Sequence, residues 1–446
     1  MASGRHRQRR GGRPKTKGAS RKEAPGGGTT TTTTTVHDLP DDILELIFLR
    51  LDSCASAVRA ASACTRWCGV LAGAGFQSRF GSPRARRLAG HYHTVDPFFD
   101  TSPSPGGQPV FVPSPATSTV NPRCFSLDFL PDSKSWEIAD SRGGLLLLTK
   151  KRPHARGTED HPYLRDKIIV CEPLTRRHQG ILCPRDLVAQ YIGLFLLDGG
   201  GDDDDNGGSS GGCRIGMSNF KIIAVLHKFH WQYGRGGDPL ACVFSSGSDG
   251  GWRVRRSDSD VTVPGHIGLI YFAGRAGGSA YWAIDEEDGA MLVLDEATTT
   301  FSVVTFPQNL IQSYDRFNFR VTGGEDGTVR VVRLQDNELK VFARRRSGEE
   351  WVLENHLQLR EATRGLPGRE DRFFEVNEAL IVAAESTHVL VSPQEKTWPF
   401  SVDLETMEVE RAHERNRYAG TAFPYELPWP PALMACAEHG RRRSRR

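Results

Sequence analysis

From about Arg123 to Tyr425 the chain offers one short apolar stretch after another, punctuated by turn residues and almost free of helical period. Gly144 to Thr149, Lys167 to Cys171, Phe220 to Leu226, Leu240 to Ser245, Ile267 to Phe272 and Ser279 to Ile284 read as strands. So do Ala290 to Leu294, Phe301 to Phe306, Thr328 to Leu334, Leu339 to Ala343 and Ala379 to Ala383. Strands this short and this numerous, without helices between them, need an architecture that disposes of their edges. Radially repeated sheets do so.

A loose repeat supports that reading. Gly278-Ser-Ala-Tyr-Trp282, Met291-Leu-Val-Leu-Asp295 and Thr300-Phe-Ser-Val-Val304 form a series of an aromatic-ended strand, a strand ending in Asp, and a third with partial alternation. Asp326 to Val332, Glu338 to Phe342 and Glu350 to Val352 repeat the logic, as do Ser141 to Leu148, Ile168 to Pro173 and Arg177 to Leu182. The units recur unevenly, at intervals of roughly 45 residues or more.

Between Val36 and about Phe80 the period is helical instead. Pro40 suits an N1 position, Asp41 and Asp42 put negative charge in the first turn, and Ile43, Leu46, Ile47 and Leu51 follow on one face. A second helix carries Val58, Ala61 and Ala63, and a third surrounds Trp67, Val70 and Leu71. Three short helices bury too little to be stable alone, so their apolar face is expected to be an interface.

The fold expected is therefore multidomain: a small all-α unit of three short helices at 36–80, a Pro/Ser-rich linker at 81–122, and an all-β propeller at 123–425. Flanking these are a basic, Thr-rich tail at 1–35 and a basic C-terminal tail at 426–446, both expected to be disordered. A Gly-rich stretch from 199 to 212 with four consecutive aspartates reads as a loop inside the β domain.

Composition narrows the function classes. No window nears the roughly 20 apolar residues of a membrane span, so membrane residence is not expected. An apolar secretory leader is not evident at the N-terminus, which points to the nucleus and/or cytoplasm. The basic clusters at both ends fit a nuclear import signal, loose nucleic-acid contact or a solubilising tail, and the Arg-rich first 22 residues also fit an organellar transit peptide, though without its apolar face. Nine scattered cysteines without a CxxC pair speak against a zinc ribbon or a disulfide scaffold. Cys64 and Cys68 read as core.

Candidate ligand pairs are sparse. His227 and His230 would point to opposite faces of a strand and read as solvated. His91 and His93 share one side of a strand but follow a basic run, which reads as surface. Asp285 to Asp288 is an acidic turn without calcium-loop spacing. No nucleophile, base and orienter are spaced for catalysis, and no phosphate loop occurs. No catalytic residue, metal site or cofactor is expected.

Leu39-Pro-Asp-Asp-Ile-Leu-Glu-Leu-Ile-Phe-Leu-Arg-Leu51 and Ser62-Ala-Cys-Thr-Arg-Trp67 resemble the opening and close of an F-box, with Ala63 where the family usually has Val. Trp136 to Leu145, Val170 to Thr175, Ser245 to Trp252, Tyr281-Trp282 with Leu294-Asp295, and Phe400 to Leu404 with Glu408 are similar to phrases of F-box-associated propellers. The chain thus resembles plant F-box proteins with an F-box-associated β-propeller. That resemblance implies a substrate-recognition subunit of an SCF-type cullin-RING ubiquitin ligase, itself non-catalytic. Its F-box would dock a Skp-family adaptor, which bridges to cullin and RING subunits, and its propeller would present a protein substrate. Adaptor contact is expected from Leu39, Pro40, Ile43, Leu46, Ile47, Leu51, Val58 and Trp67. The alternative is a stand-alone propeller that binds peptide, glycan or nucleic acid. The body lacks interleaved aromatic and basic residues, so nucleic acid is not the expected partner.

Overall fold

The structure, a computed structural model, describes residues 36–51, 54–80, 88–93, 109–114, 122–150, 167–183, 190–199, 215–229, 237–247, 251–256, 261–263, 270–284, 289–307, 310, 317–324, 327–344, 350–375, 378–393, 395, 398–411 and 422–427. The basic tail at 1–35, residues 428–446 of the C-terminal tail, the four aspartates at 202–205, His230 and the acidic turn at 285–288 lie outside the described residues. Glu426 and Leu427, read from sequence as the start of that C-terminal tail, belong instead to the β region.

Strands β1 (Leu88–His93) and β2 (Val110–Pro113) come first. Four antiparallel meanders follow, each of four strands. They are β3 (Trp136–Arg142), β4 (Leu145–Lys150), β5 (Lys167–Glu172) and β6 (Arg177–Leu182), then β7 (Gln190–Asp198), β8 (Phe220–Phe229), β9 (Gly237–Ser245) and β10 (Trp252–Arg256). Next are β11 (Ile270–Ala276), β12 (Ser279–Ile284), β13 (Ala290–Asp295) and β14 (Phe301–Thr305), followed by β15 (Phe319–Gly323), β16 (Val329–Gln335), β17 (Glu338–Arg344) and β18 (Trp351–Gln358). A fifth meander holds β19 (Leu380–Ala384), β20 (His388–Ser392), β21 (Phe400–Asp403) and β22 (Val409–Arg411), and β23 (Ala422–Glu426) ends the series.

The first strands of the meanders line up as a ring. β3 lies beside β7, β7 beside β11, β15 beside β19, β19 beside β23 and β23 beside β3. Between β11 and β15 the approach is close enough for parallel pairing of Gly274 with Val321 and Arg275 with Thr322, which fuses two meanders into one eight-stranded sheet. Gly274 makes this possible: its φ is +145°, and a Cβ there would sit 1.8 Å from the Val321 carbonyl oxygen.

The ring closes by mixing the two ends of the β region. β23 is the inner strand of a three-stranded sheet whose other members are β1 and β2, ordered β2-β1-β23. Tyr92 pairs with Phe111 on one side and Phe423 on the other. Ser141 donates its hydroxyl to the Pro424 carbonyl, and the Glu426 N–H reaches the Gly143 carbonyl at 3.1 Å, which ties β23 to the β3–β4 hairpin. Among the described residues these units make a β-propeller of six blades, five of four strands and a closing blade of three. The two strands β1 and β2 fall inside 81–122, read from sequence as a linker. Their six and four residues sit among Pro, Ser and Gly, which hides them from a window-based reading.

Position in a blade dictates composition. Middle strands are covered on both faces by neighbouring blades, so Leu145 to Leu148, Ile168 to Cys171 and Ala290 to Leu294 are buried throughout. Outer strands alternate: β6 and β14 leave most of their residues at least partly open to solvent. One polar seam crosses three inner strands. Arg275 on β11 donates to Glu296 (2.6 Å), Asp140 on β3 (3.1 Å) and the Leu196 carbonyl on β7 (2.9 Å). Arg142 adds bonds to Glu296 (3.1 Å) and Asp198 (2.8 Å), and the Leu196 N–H donates to Asp140 at 2.7 Å.

The helical segment contains four helices rather than the expected three: α1 (Asp41–Phe48), α2 (Cys54–Ala63), α3 (Thr65–Ala72) and α4 (Ala74–Phe80). α4 escapes a pattern search because its seven residues hold a single buried apolar side chain, Phe76. Instead of standing apart, the segment shares a core with the propeller. Leu44, Phe48, Ala57, Val58, Ala61, Cys68, Leu71 and Phe76 belong to one cluster with Tyr92, Phe111, Phe125, Leu146, Leu148, Leu174 and Tyr425. α2 lies on the 3-10 turn Pro173–Thr175, and Arg59 donates to the Cys124 sulfur at 3.0 Å. The partner that short helices need is thus supplied within the chain.

Candidate docking surface

α1 owes its orientation to what it buries. Pro40, extended at φ −60° and ψ 156°, is the N-cap rather than the N1 residue, and Asp41 and Asp42 place negative charge at the helix start. Leu44 and Phe48, one turn apart, point into the shared core, and Trp67 meets Phe48 edge-on with centroids 5.3 Å apart. Two ion pairs clamp the helix. Arg66 bonds Asp41 at 2.7 Å and also reaches the Leu39 carbonyl, and Arg79 bonds Glu45 at 3.1 Å. Both pairs are substantially solvent-exposed and contribute geometry more than energy.

With Leu44 and Phe48 turned inward, the other face of α1 must present its apolar residues to water. Ile43, Leu46 and Ile47 are 39%, 49% and 45% exposed, at spacings that put them on one face, and Val36 just before the helix is open as well. Pro40 is exposed at the same end. Three large aliphatic side chains and the N-cap proline, spread over about two turns, form a patch with no covering element among the described residues.

The expected adaptor residues therefore divide. Pro40, Ile43, Leu46 and Ile47 are open, while Leu39, Leu51 and Trp67 are half-buried against the core beneath them. Val58 is a correction: at 4% exposed it packs inside the shared core and has no surface to offer a partner. Sequence spacing placed it on a helix face but could not say that the propeller covers that face. Cys68 is buried as expected, and Cys64 caps α3, its sulfur 3.4 Å from the Trp67 N–H.

The histidines also depart from expectation. His227 is fully buried rather than solvated, because β8 is covered on both faces. His91 is largely covered and His93 fully so, since β1 is the middle strand of the closing blade. Among the described residues, His91, Glu385 and His388 are the one group of three acidic, histidine or cysteine side chains whose donor atoms converge, all within 4.8 Å of one another. Burial pushes the Glu385 carboxyl up, but the His388 and His91 imidazoles outweigh it and hold the group at about 2. No helix among the described residues is long and apolar enough to cross a membrane.

Residues 249–433 match a family model described as "F-box protein AT5G49610-like, beta-propeller". The match takes in the strands from β10 to β23, and over them the chain is similar to the propellers of that family. No curated protein matches the chain. Among solved structures, YCF48 from Cyanidioschyzon merolae is 9% identical with a TM-score of 0.33 and covers 74% of this chain and 87% of its own. TolB from Acinetobacter baumannii is 12% identical with a TM-score of 0.34, covering 76% of this chain and 67% of that one. Likenesses of that size carry no argument about function.

Proposed function

We propose that the chain is a substrate receptor of an SCF-type cullin-RING ubiquitin ligase, in which the open face of α1 docks a Skp-family adaptor and the propeller holds a protein substrate. The observation that carries this reading is the outward-facing set of Ile43, Leu46 and Ile47 on a helix whose other face is anchored in the core. Covering the part of each side chain still open to water is worth about 1 kcal/mol, roughly half the value for burying a fully exposed one, and the three act together as in a helix-in-groove contact. The F-box-like pattern of residues 39–67 and the propeller family match over 249–433 support the same assignment from opposite ends of the chain.

In this role the chain performs no bond chemistry. It contributes proximity, by holding a substrate lysine where the cullin and RING subunits deliver ubiquitin. Work in the nucleus and/or cytoplasm fits the basic clusters at 1–23 and 441–446.

The test is binding of a purified Skp-family adaptor to wild type and to an Ile43→Ser/Leu46→Ser variant. Both positions are open, so the fold is retained and recovery should fall at least tenfold. Equal recovery by the two proteins, or no binding by wild type, rejects the docking face.

A further inference from the structure

We propose that His91 Nε2, Glu385 Oε1 and His388 Nε2 form a binding site for a divalent transition-metal ion of the zinc class, across the seam between the closing blade and the β19–β22 blade.

The donors come from two rigid elements that are remote in sequence. His91 sits on β1, which is paired on both sides, opposite Val112 and Pro424. Glu385 and His388 bracket the tight turn between β19 and β20, closed by the Glu385 N–H donating to the His388 carbonyl at 2.9 Å. The turn is pinned from below by the Leu404 N–H, which reaches the Thr387 carbonyl at 2.8 Å. None of the three ligands depends on a long loop for its position, which is what a preorganised site requires.

The distances suit coordination. His91 Nε2 lies 3.0 Å and His388 Nε2 3.3 Å from the same Glu385 oxygen. Ligand atoms about 2.0–2.1 Å from a tetrahedral zinc ion lie about 3.3 Å apart, so an ion is accommodated by small side-chain rotations. Two imidazoles and one carboxylate are a donor set for zinc, cobalt(II) or nickel(II) rather than for calcium or magnesium. Three protein ligands leave a fourth position for water.

Outer contacts favour the same reading. Thr387 Oγ1 lies 3.2 Å from His388 Nδ1, and this bond orients the ring with Nε2 toward the carboxylate. The buried His388 Nε2 has no hydrogen bond of good geometry among the described residues, despite its nearness to Glu385. Nor does the buried Nδ1 of His93, two residues from His91 on the same side of β1. The rings of His91 and His388 meet edge-on with centroids 5.7 Å apart. The competing arrangement is a proton shared along His91–Glu385–His388, a hydrogen-bonded ion pair that needs no metal.

Full-length protein stripped with EDTA and titrated with cobalt(II) separates the two. One equivalent of cobalt(II) should produce visible d–d absorption of four-coordinate intensity, zinc should displace it, and magnesium should not. Glu385→Gln and His91→Ala should each weaken cobalt binding at least tenfold, with far-UV circular dichroism unchanged. Absence of a cobalt-dependent band in wild type, or the same band in wild type and both variants, overturns the site. Should a variant fail to fold, X-ray absorption of cobalt-loaded wild type decides. Two imidazoles in the coordination sphere uphold the assignment, and sulfur or only water oxygens refute it.

Discussion

The ring of Tyr92 stands almost perpendicular to that of Tyr425, 83° apart with centroids at 5.6 Å, so the first and last strands of the propeller meet through two buried aromatic side chains. Tyr92 also donates its hydroxyl to the Phe125 carbonyl at 2.7 Å. Tyr92→Ala should cost about 3–5 kcal/mol, as for other large buried aromatics, and Tyr92→Phe about 1 kcal/mol for the lost hydrogen bond. Urea unfolding measures both. Because the same cluster includes Phe48 and Leu71, the helical segment and the propeller should lose structure together; two separated transitions would contradict the shared core.

The inner seam predicts an asymmetry between two carboxylates. Burial raises the pKa of Asp140 despite its arginine neighbours, whereas burial acts against Glu296 but Arg275 and Arg142 bring it below its ordinary value. Asp140→Asn removes an ion that burial penalises and keeps an acceptor for the Leu196 N–H. It should change stability by less than about 1 kcal/mol. Glu296→Gln leaves two guanidinium groups short of their partner and should cost about 1.5–3 kcal/mol. Chemical denaturation of the pair checks the order, and the reverse order contradicts it.

Asp295 and Asp403 build the same turn in two blades. Asp295 Oδ1 accepts from the Ala297 and Thr298 N–H groups at 3.0 and 2.7 Å, and Asp403 Oδ1 from those of Glu405 and Thr406 at 2.9 and 2.8 Å. The Thr298 N–H leads in lowering the Asp295 pKa below 3.8. A lowered folded-state pKa contributes stability above the unfolded value and loses it as pH falls through the folded one. The stability advantage of wild type over Asp295→Ala should therefore be constant near neutrality and shrink below about pH 4. An advantage independent of pH would show that the carboxylate charge has no part in the turn.

At the fused seam, Gly274→Ala should cost about 3 kcal/mol, because a Cβ 1.8 Å from the Val321 oxygen forces β11 and β15 apart. Gly278, also at positive φ but with nothing within 4 Å of a Cβ, should lose only the backbone preference, about 1 kcal/mol, on the same change. Thermal unfolding of the two variants distinguishes steric separation of blades from simple turn strain.

What sequence made visible follows blade position. Middle strands such as β4, β5 and β13 are wrapped by neighbours on both faces, so their unbroken apolar runs stood out. The repeated turn was visible too, as strands ending in Asp. Inner strands were harder to see. β7 carries a bulge between Tyr191 and Gly193 that breaks alternation, and β3 has one between Ile138 and Asp140. β1 was hidden further, because its burial comes from β2 and β23, the latter more than three hundred residues away in sequence.

The open residues of α1 were legible because they lie within one helix and need only its period. Val58 and the His91–Glu385–His388 group were not. Their environments depend on which remote strands arrive beside them, and local spacing holds no record of that.

Because Leu44 and Phe48 are rooted among the same side chains that seal the ring, the outer face of α1 and the blades share one frame of reference. A molecule gripped by any blade is then carried at a set bearing from whatever sits on Ile43, Leu46 and Ile47. The span between the two is a dimension of the protein, not an average over the wanderings of a tether. A substitution that loosens Phe48 or Tyr425 would leave both surfaces chemically intact and still spoil their aim.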